Sequence, residues 1–253
     1  MSTRNPKAKI ERSKAFASAY AQSNVVQYEE AITPLISKLG QWMARYAESG
    51  EPMELDKFIS YMAFDVVGEV LFSRPFGFIE KGKDIDNAIA NNLALEVIGT
   101  PISQFPWAQK LLGNPLVTYL NLSPGSMLME TAVAALRERQ KNPDARFDMA
   151  AHWLRYLEQH PDRTTYRNVE AQTTTNVGAG ADTTSCALQS IFYHMARHPE
   201  TWQRARAEID EAQQQGRCRS AVISLADAQG LPYLQACIKE ALRIHAPVPS
   251  RFP

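Results

Sequence analysis

From Thr164 to His198 the sequence contains no proline. A helix over that span would be about 50 Å long at roughly 1.5 Å per residue, enough to cross an entire domain. The stretch beyond it is also helical in pattern. Pro199 opens a second segment, Glu200 to Gln215, that is rich in Arg, Glu and Gln and ends at Gly216, with proline at a first position and glycine past an end. A last helix is predicted from about Pro232 to His245, with Leu234, Ile238, Ala241, Leu242 and His245 on one face and Pro247 and Pro249 beyond it. Upstream, Ile32, Leu35, Ile36, Leu39, Trp42, Met43 and Tyr46 form one helical stripe between Glu29 and Ala47. Asp56 is placed to cap another helix, whose pairs Phe58/Ile59, Met62/Ala63, Val66/Val67 and Val70/Leu71 repeat each turn on one face until Ser73-Arg74-Pro75. Between Asp86 and Gln140, Pro101, Pro106, Pro115 and Pro124 predict short helices separated by turns. No convincing alternating strand, fixed-period repeat or low-complexity tract interrupts this. The fold class is mainly α.

Charge excludes some partners. The 253 residues carry 27 Lys+Arg and 27 Asp+Glu, so there is no net field to draw in nucleic acid or an anionic membrane. Three cysteines, Cys186, Cys218 and Cys237, are too scattered for a disulfide framework or a Cys-x-x-Cys knuckle and suit a reducing compartment. No stretch approaches the ~20 apolar residues of a membrane span, and Met1 to Lys14 is basic without the apolar block of a secretory signal. As written, the chain is expected to be cytoplasmic.

The oddest local sequence lies inside the long segment: Gly178-Ala179-Gly180-Ala181-Asp182-Thr183-Thr184. Two glycines cost roughly 1 kcal/mol each in a helix interior, and Thr and Asp compete there for backbone hydrogen bonds. Bare backbone would let a flat ligand approach, with an adjacent hydroxyl and carboxyl to relay protons. Equally, the glycines would let another helix cross closely, or two shorter helices would meet at a loop. Glu240 and Arg243, three apart on the last helix, form by themselves an ordinary solvated pair. His194 and His198 have a spacing that two zinc ligands can use, but no third ligand or catalytic Glu accompanies them. His152 and His160 are placed at helix ends. Ser185 and Ser190 lack a nucleophile elbow, and no phosphate loop has a strand-to-helix context.

Taken in order, Ala179-Gly180-Ala181-Asp182-Thr183-Thr184 in a long helix, His198-Pro199, a charged helix and Glu240-x-x-Arg243 before prolines resemble the cytochrome P-450 family of heme-thiolate monooxygenases. Tyr61 to Phe78, with Asp65-Val66-Val67-Gly68-Glu69 and Phe76-Gly77, resembles an upstream helix of filamentous-fungal members. Ala17-Ser18-Ala19-Tyr20 resembles the end of the helix that carries basic residues toward the heme propionates. The resemblance implies heme as cofactor, an NADPH-dependent reductase as electron donor and an apolar small molecule of fungal secondary metabolism as substrate. By it, Gly180 would open the long helix over the heme, with Ala179 beside it as a further cofactor-binding residue, and Asp182 and Thr183 would deliver protons to bound dioxygen as the catalytic pair. Lys14 would face a propionate, and Glu240 with Arg243 would form a buried ion pair. Leu93 to Ile98 and Phe105-Pro106-Trp107 would roof the substrate pocket.

The departures set a second expectation. None of the three cysteines has the Phe-x-x-Gly-x-x-x-Cys-x-Gly context of the family's iron ligand, and thiolate ligation is what favours O–O cleavage. The family's membrane-anchor helix, which usually fixes members to the endoplasmic reticulum, its proline-rich hinge and first sheet, and the sheet and cysteine loop after the Glu-x-x-Arg helix are not recognised. Residues 1–253 are therefore expected to form a single incomplete domain with a partial cytochrome P-450 fold, cut short at both ends and with little or no activity. The alternative expectation is a non-catalytic helical remnant or interaction module.

Overall fold

The computed structural model describes residues 6–103, 105, 126–142, 146 and 148–248. Its helices in chain order are α1 (Pro6–Ala17), α2 (Gln22–Val25), α3 (Glu29–Ser49), α4 (Leu55–Phe72), α5 (Phe78–Lys81), α6 (Ala88–Ser103), α7 (Ser126–Lys141), α8 (Met149–Gln159), α9 (Tyr166–Arg197), α10 (Pro199–Gln214), α11 (Leu225–Gln229) and α12 (Pro232–Ile244). Among the described residues there is no strand, and no helix is long and apolar enough to cross a membrane.

The long segment is one helix. α9 runs for 32 residues without a break at Gly178 or Gly180, its first turn capped by Thr165, whose hydroxyl accepts from the Asn168 amide. The expectation of two helices meeting at a loop is thereby excluded. Four threonine hydroxyls around the glycines bond back to their own helix: Thr174 to the Glu170 carbonyl at 3.1 Å, Thr175 to Ala171 at 2.7 Å, Thr183 to Ala179 at 2.9 Å and Thr184 to Gly180 at 2.8 Å. At these four the competition that threonine offers a helix is turned inward.

Helix α4 is the axis of the core. Its buried residues, among them Phe58, Ile59, Met62, Phe64, Asp65, Gly68 and Leu71, occur all round the helix, not on the single face that the repeating pairs predicted. A helix apolar on every side has to be enclosed, and α3, α8 and α9 all pack against it. Asp56 lies in its first turn, but the N-cap position is Glu54 and no side chain caps it. At the other end Gly68 is required. A Cβ there would lie 2.8 Å from the Arg74 carbonyl and 3.0 Å from the Phe76 ring, because the chain reverses at Ser73 and folds back over the last turn. The wholly buried Asp65 fastens that return, accepting from the amides of Gly77 at 2.7 Å, Phe78 at 3.2 Å and Ile79 at 2.8 Å. Burial pushes its carboxyl above the usual range, and these bonds oppose the shift.

A polar knot ties α4 to α7 and α8. Asp148 caps α8 by accepting from the Ala151 amide at 2.8 Å, and its other oxygen receives Arg139 Nε at 2.6 Å and Ser73 Oγ at 2.7 Å. Arg139 also reaches the carbonyls of Asn142 and Arg146, while Arg146 bonds Ser73 and Glu69. His152 lies within α8, not at its end, whereas His160 is the C-cap residue. The region expected to hold short helices contains two 16-residue ones, α6 and α7. Pro106, Trp107, Pro115 and Pro124 lie outside the described residues.

A second, smaller core of Ala212, Cys218 and Leu231 joins α10 to α12. Glu208 of α10 accepts from the Tyr233 and Leu234 amides at 2.8 and 2.9 Å, so a carboxylate caps the start of α12 and complements its dipole. α12 also packs on α9.

Candidate functional site on the long helix

The middle of α9 has two differently clothed sides. Gly178 and Gly180 face neighbouring helices, where a Cβ would lie 3.4 Å from Asn92 Oδ1 of α6 and 3.4 Å from Val67 Cγ2 of α4, respectively. For both glycines the crossing-helix reading holds. Open space lies instead at Thr175 and Ala179, which are exposed, with the half-buried Thr183 one turn further. Spacing of four residues puts these three on one strip. The resemblance gave the opening to Gly180, with Ala179 as its cofactor-binding neighbour; Gly180 instead packs toward Val67, and it is Ala179 that lies open.

Asp182 points elsewhere. Its carboxylate receives Asn92 Nδ2 from α6, a pair 90 residues apart in sequence. Asn92 is buried, so the amide fixes one oxygen of the half-buried Asp182 from the protein side, while Thr183 stands beside the open strip. Nothing in the sequence marked Asn92. It precedes Leu93, which is exposed like Val97 one turn on, and these two are large apolar residues of the segment read as a pocket roof. Phe105 is exposed too.

Lys14 lies in the last turn of α1 and is exposed. The segment after it is moored to α9: Tyr20 Oη donates to Asn176 Oδ1 at 2.7 Å and accepts from Gln172 Nε2 at 2.8 Å, one turn before the glycines. Burial pushes the Tyr20 phenol up, partly offset by these two bonds.

Glu240 and Arg243 are paired in the fork geometry expected of guanidinium and carboxylate, at 2.6 and 2.8 Å. The expectation of burial is not met: both side chains are more than half exposed. α12 turns Ala241 inward, and its neighbours on either side of that line reach solvent. The Arg243 hydrogen bonds hold the Glu240 carboxyl below the usual range.

The three cysteines are placed apart from one another. Cys218 is buried in the second core, Cys237 is half-buried on α12, and Cys186 lies 3.6 Å from His245 Nε2. Among the described residues no three of His, Cys, Asp and Glu gather to hold a metal ion, His194 and His198 included. The strip from Thr175 through Ala179 to Thr183 has what a flat macrocycle needs on its oxygen-facing side, small side chains in open space with a hydroxyl at the rim. The residues present fit heme on that side, and no cysteine of the chain has the sequence context of its thiolate ligand.

The comparisons bear on the family and the fold. The sequence is 30% identical to a cytochrome P-450 monooxygenase of Aspergillus flavus over 242 residues, covering 91% of this chain and 47% of the relative. It is 32% identical to the monooxygenase cicH of Emericella nidulans, covering 92% and 48%, and 33% identical to one from Aspergillus terreus, covering 92% and 49%. The chain thus spans about half the length of the curated relatives it matches. The fold superposes on the crystal structure of a cytochrome P-450, CYP102L1, with a TM-score of 0.72 at 17% identity, covering 96% of this chain and 51% of the other. The family model for cytochrome P-450 matches residues 2–253, and the chain belongs to that family.

Proposed function

We propose that this chain supplies the oxygen-facing side of a cytochrome P-450 monooxygenase site, in which one atom of dioxygen is inserted into an apolar small molecule of fungal secondary metabolism. An NADPH-dependent reductase would supply the electrons. The observation that carries the reading is the open strip of small residues, Thr175, Ala179 and Thr183, on a helix unbroken through its two glycines. Heme, when bound, supplies the binding and activation of dioxygen.

The remaining chemistry belongs to side chains of this chain. Ala179 leaves room beside α9. Thr183 holds its hydroxyl at the edge of that room, now donating to the Ala179 carbonyl, and would be the group to hold a proton at Oγ1 beside the open strip. Asp182, oriented by Asn92, is the acid one residue away that replenishes it. Lys14, at the end of α1, is assigned to a propionate. Leu93, Val97 and Phe105 present apolar surface suited to an apolar substrate. By itself the 253-residue chain is assigned no turnover, since none of its cysteines has the family's loop context.

The test is hemin titration of the purified chain, followed by the Soret band and by quenching of its tryptophans. Ala179→Phe should weaken binding about tenfold or more by filling the strip, with unchanged far-ultraviolet circular dichroism. Equal binding by both proteins would reject the site. A thiolate-type carbon monoxide spectrum of the reduced complex would reject the assignment of no turnover.

A further inference from the structure

Cys186, Gln189, Ser190, Tyr193 and His194 fall at spacings of three and four and share one stripe of α9. With Ile244 and His245 from the end of α12 they line a cavity of about 430 Å³. Within it the Cys186 sulfur and His245 Nε2 are 3.6 Å apart, within reach of a sulfur hydrogen bond, although the residues are 59 apart in sequence. Ser190 is only 8% exposed, and its buried hydroxyl has no hydrogen-bond partner. A buried hydroxyl with nothing to bond is costly, and an acceptor oxygen in the cavity would relieve it. Nucleophile, base and unmatched donor thus meet in one cavity, and the oxygen-facing strip uses none of them.

We infer that this cavity is a covalent binding site for a compact α,β-unsaturated carbonyl compound, with Cys186 as nucleophile, His245 as its base and Ser190 as donor to the carbonyl oxygen. The Cys186 S–H proton passes to His245 Nε2. The sulfur electron pair then forms an S–C bond to the β-carbon, and the C=C π pair moves to give an enolate whose oxygen accepts from Ser190 Oγ. The α-carbon finally takes the proton from the imidazolium. The sum is addition of S–H across C=C, with no oxidant or reductant. Thiolate is a soft nucleophile matched to that carbon, and an adjacent imidazole favours the thiolate form. Tyr193 and Ile244 supply apolar wall for the rest of the ligand.

The groups facing Cys186 are few. His245 approaches from α12, and on α9 itself Tyr193 and His194 lie ahead and Asp182 one turn behind. Asp56 of α4 lies beyond Gln189 in the adjoining groove, and Glu240 and His198 border the neighbouring cavity shared with His194 and Ile244. No carboxylate, lysine or arginine lines this cavity, whose two imidazoles are His245, against the Cys186 sulfur, and His194. The inference needs no heme and stands apart from the proposed function.

The test uses limiting N-ethylmaleimide, an α,β-unsaturated dicarbonyl, with each cysteine quantified by peptide mass spectrometry between about pH 5.5 and 8. Cys186 should react about tenfold faster than the half-buried Cys237, and keep its rate at acid pH values where Cys237 slows. His245→Gln should lower the Cys186 rate about tenfold and give it the pH profile of Cys237, whose own rate stays constant. Ser190→Ala should slow maleimide several-fold, but not methyl methanethiosulfonate, which has no carbonyl. Buried Cys218 reports unfolding in the same digests. Equal rates and parallel pH profiles for Cys186 and Cys237 in the wild-type chain would overturn the inference whatever the variants do. So would a His245→Gln variant that stays folded and reacts at the wild-type rate, or a Ser190→Ala variant that slows both reagents alike.

Discussion

Two guanidinium–carboxylate pairs in this molecule have the same shortest distance and opposite surroundings. Arg139 and Asp148 meet at 2.6 Å with side chains 4% and 0% exposed; Arg243 and Glu240 meet at 2.6 Å with side chains 71% and 55% exposed. The first pair is woven into a knot with Ser73, the Ala151 amide and two backbone carbonyls, so the donors and acceptors that burial removes from water are met inside the protein. The second has only its partner and the solvent. Distance alone therefore says little about what a pair does for the fold: the dielectric around it and the number of its other bonds decide.

The largest effect expected from that contrast follows removal of one buried partner. Arg139→Met leaves the Asp148 carboxylate in the core with a serine and an amide, and costs about 3–5 kcal/mol, as for other half-broken buried pairs. Urea denaturation monitored by circular dichroism should show the midpoint falling steeply. A loss near that of an ordinary surface substitution would mean that the knot is not the clamp between α4, α7 and α8.

The second effect tests the return of the chain over α4. Gly68→Ala sets a methyl 2.8 Å from the Arg74 carbonyl, which is backbone and has little room to yield. Overpacking of this kind costs about 1–3 kcal/mol. Gly180→Ala is the matched control, because its methyl would meet only Val67 Cγ2, at 3.4 Å. It should be milder, within about 1 kcal/mol, helped by alanine's helix propensity. Equal losses at the two positions would show that the turn at Ser73 can move.

These positions also show what a sequence can disclose. The long helix was legible because an absence of proline and its boundary residues are local signals, as were the ends at Pro199 and Gly216. The strip at Ala179 and Thr183 was legible through a motif. Which small residue of that motif faces open space was not, because it depends on where Val67 crosses. The enclosure of α4 was read as one face because the pairs Phe58/Ile59 and Met62/Ala63 dominate its pattern, while Asp65 and Glu69, polar and buried, hid the opposite side. Asn92 with Asp182, Ser73 with Asp148 and Cys186 with His245 bring together residues 90, 75 and 59 positions apart. No periodicity carries that information.

A third effect sharpens the comparison by pH. His152 lies on α8 one turn beyond Asp148, and burial lowers its pKa, with Arg155 adding to the shift and Asp148 opposing it. The unfolded imidazole takes up its proton near the ordinary value of about 6.5, the folded one only at lower pH. Stability from this group is thus present above the ordinary value and is lost as pH falls from there toward the lowered folded pKa. The thermal midpoint should drop across that window, and His152→Gln should flatten the drop. An unchanged slope would place the acid sensitivity elsewhere in the molecule.

The smallest effect belongs to the exposed pair. Arg243 lowers the Glu240 pKa, so any stabilisation is present above the unfolded carboxyl value, about 4.3, and is lost as pH falls through the lowered folded one. Solvent and salt screen two such exposed groups. Glu240→Gln should therefore leave the denaturation midpoint of this chain where it is at neutral pH, and added salt should not separate variant from wild type. A loss approaching that of Arg139→Met would mean that the pair anchors α12 to α9 despite its exposure. Burial would then cease to be what distinguishes the two ion pairs, and the two-bond fork that Arg243 makes with Glu240, where Arg139 gives Asp148 a single bond, would have to explain the anchor.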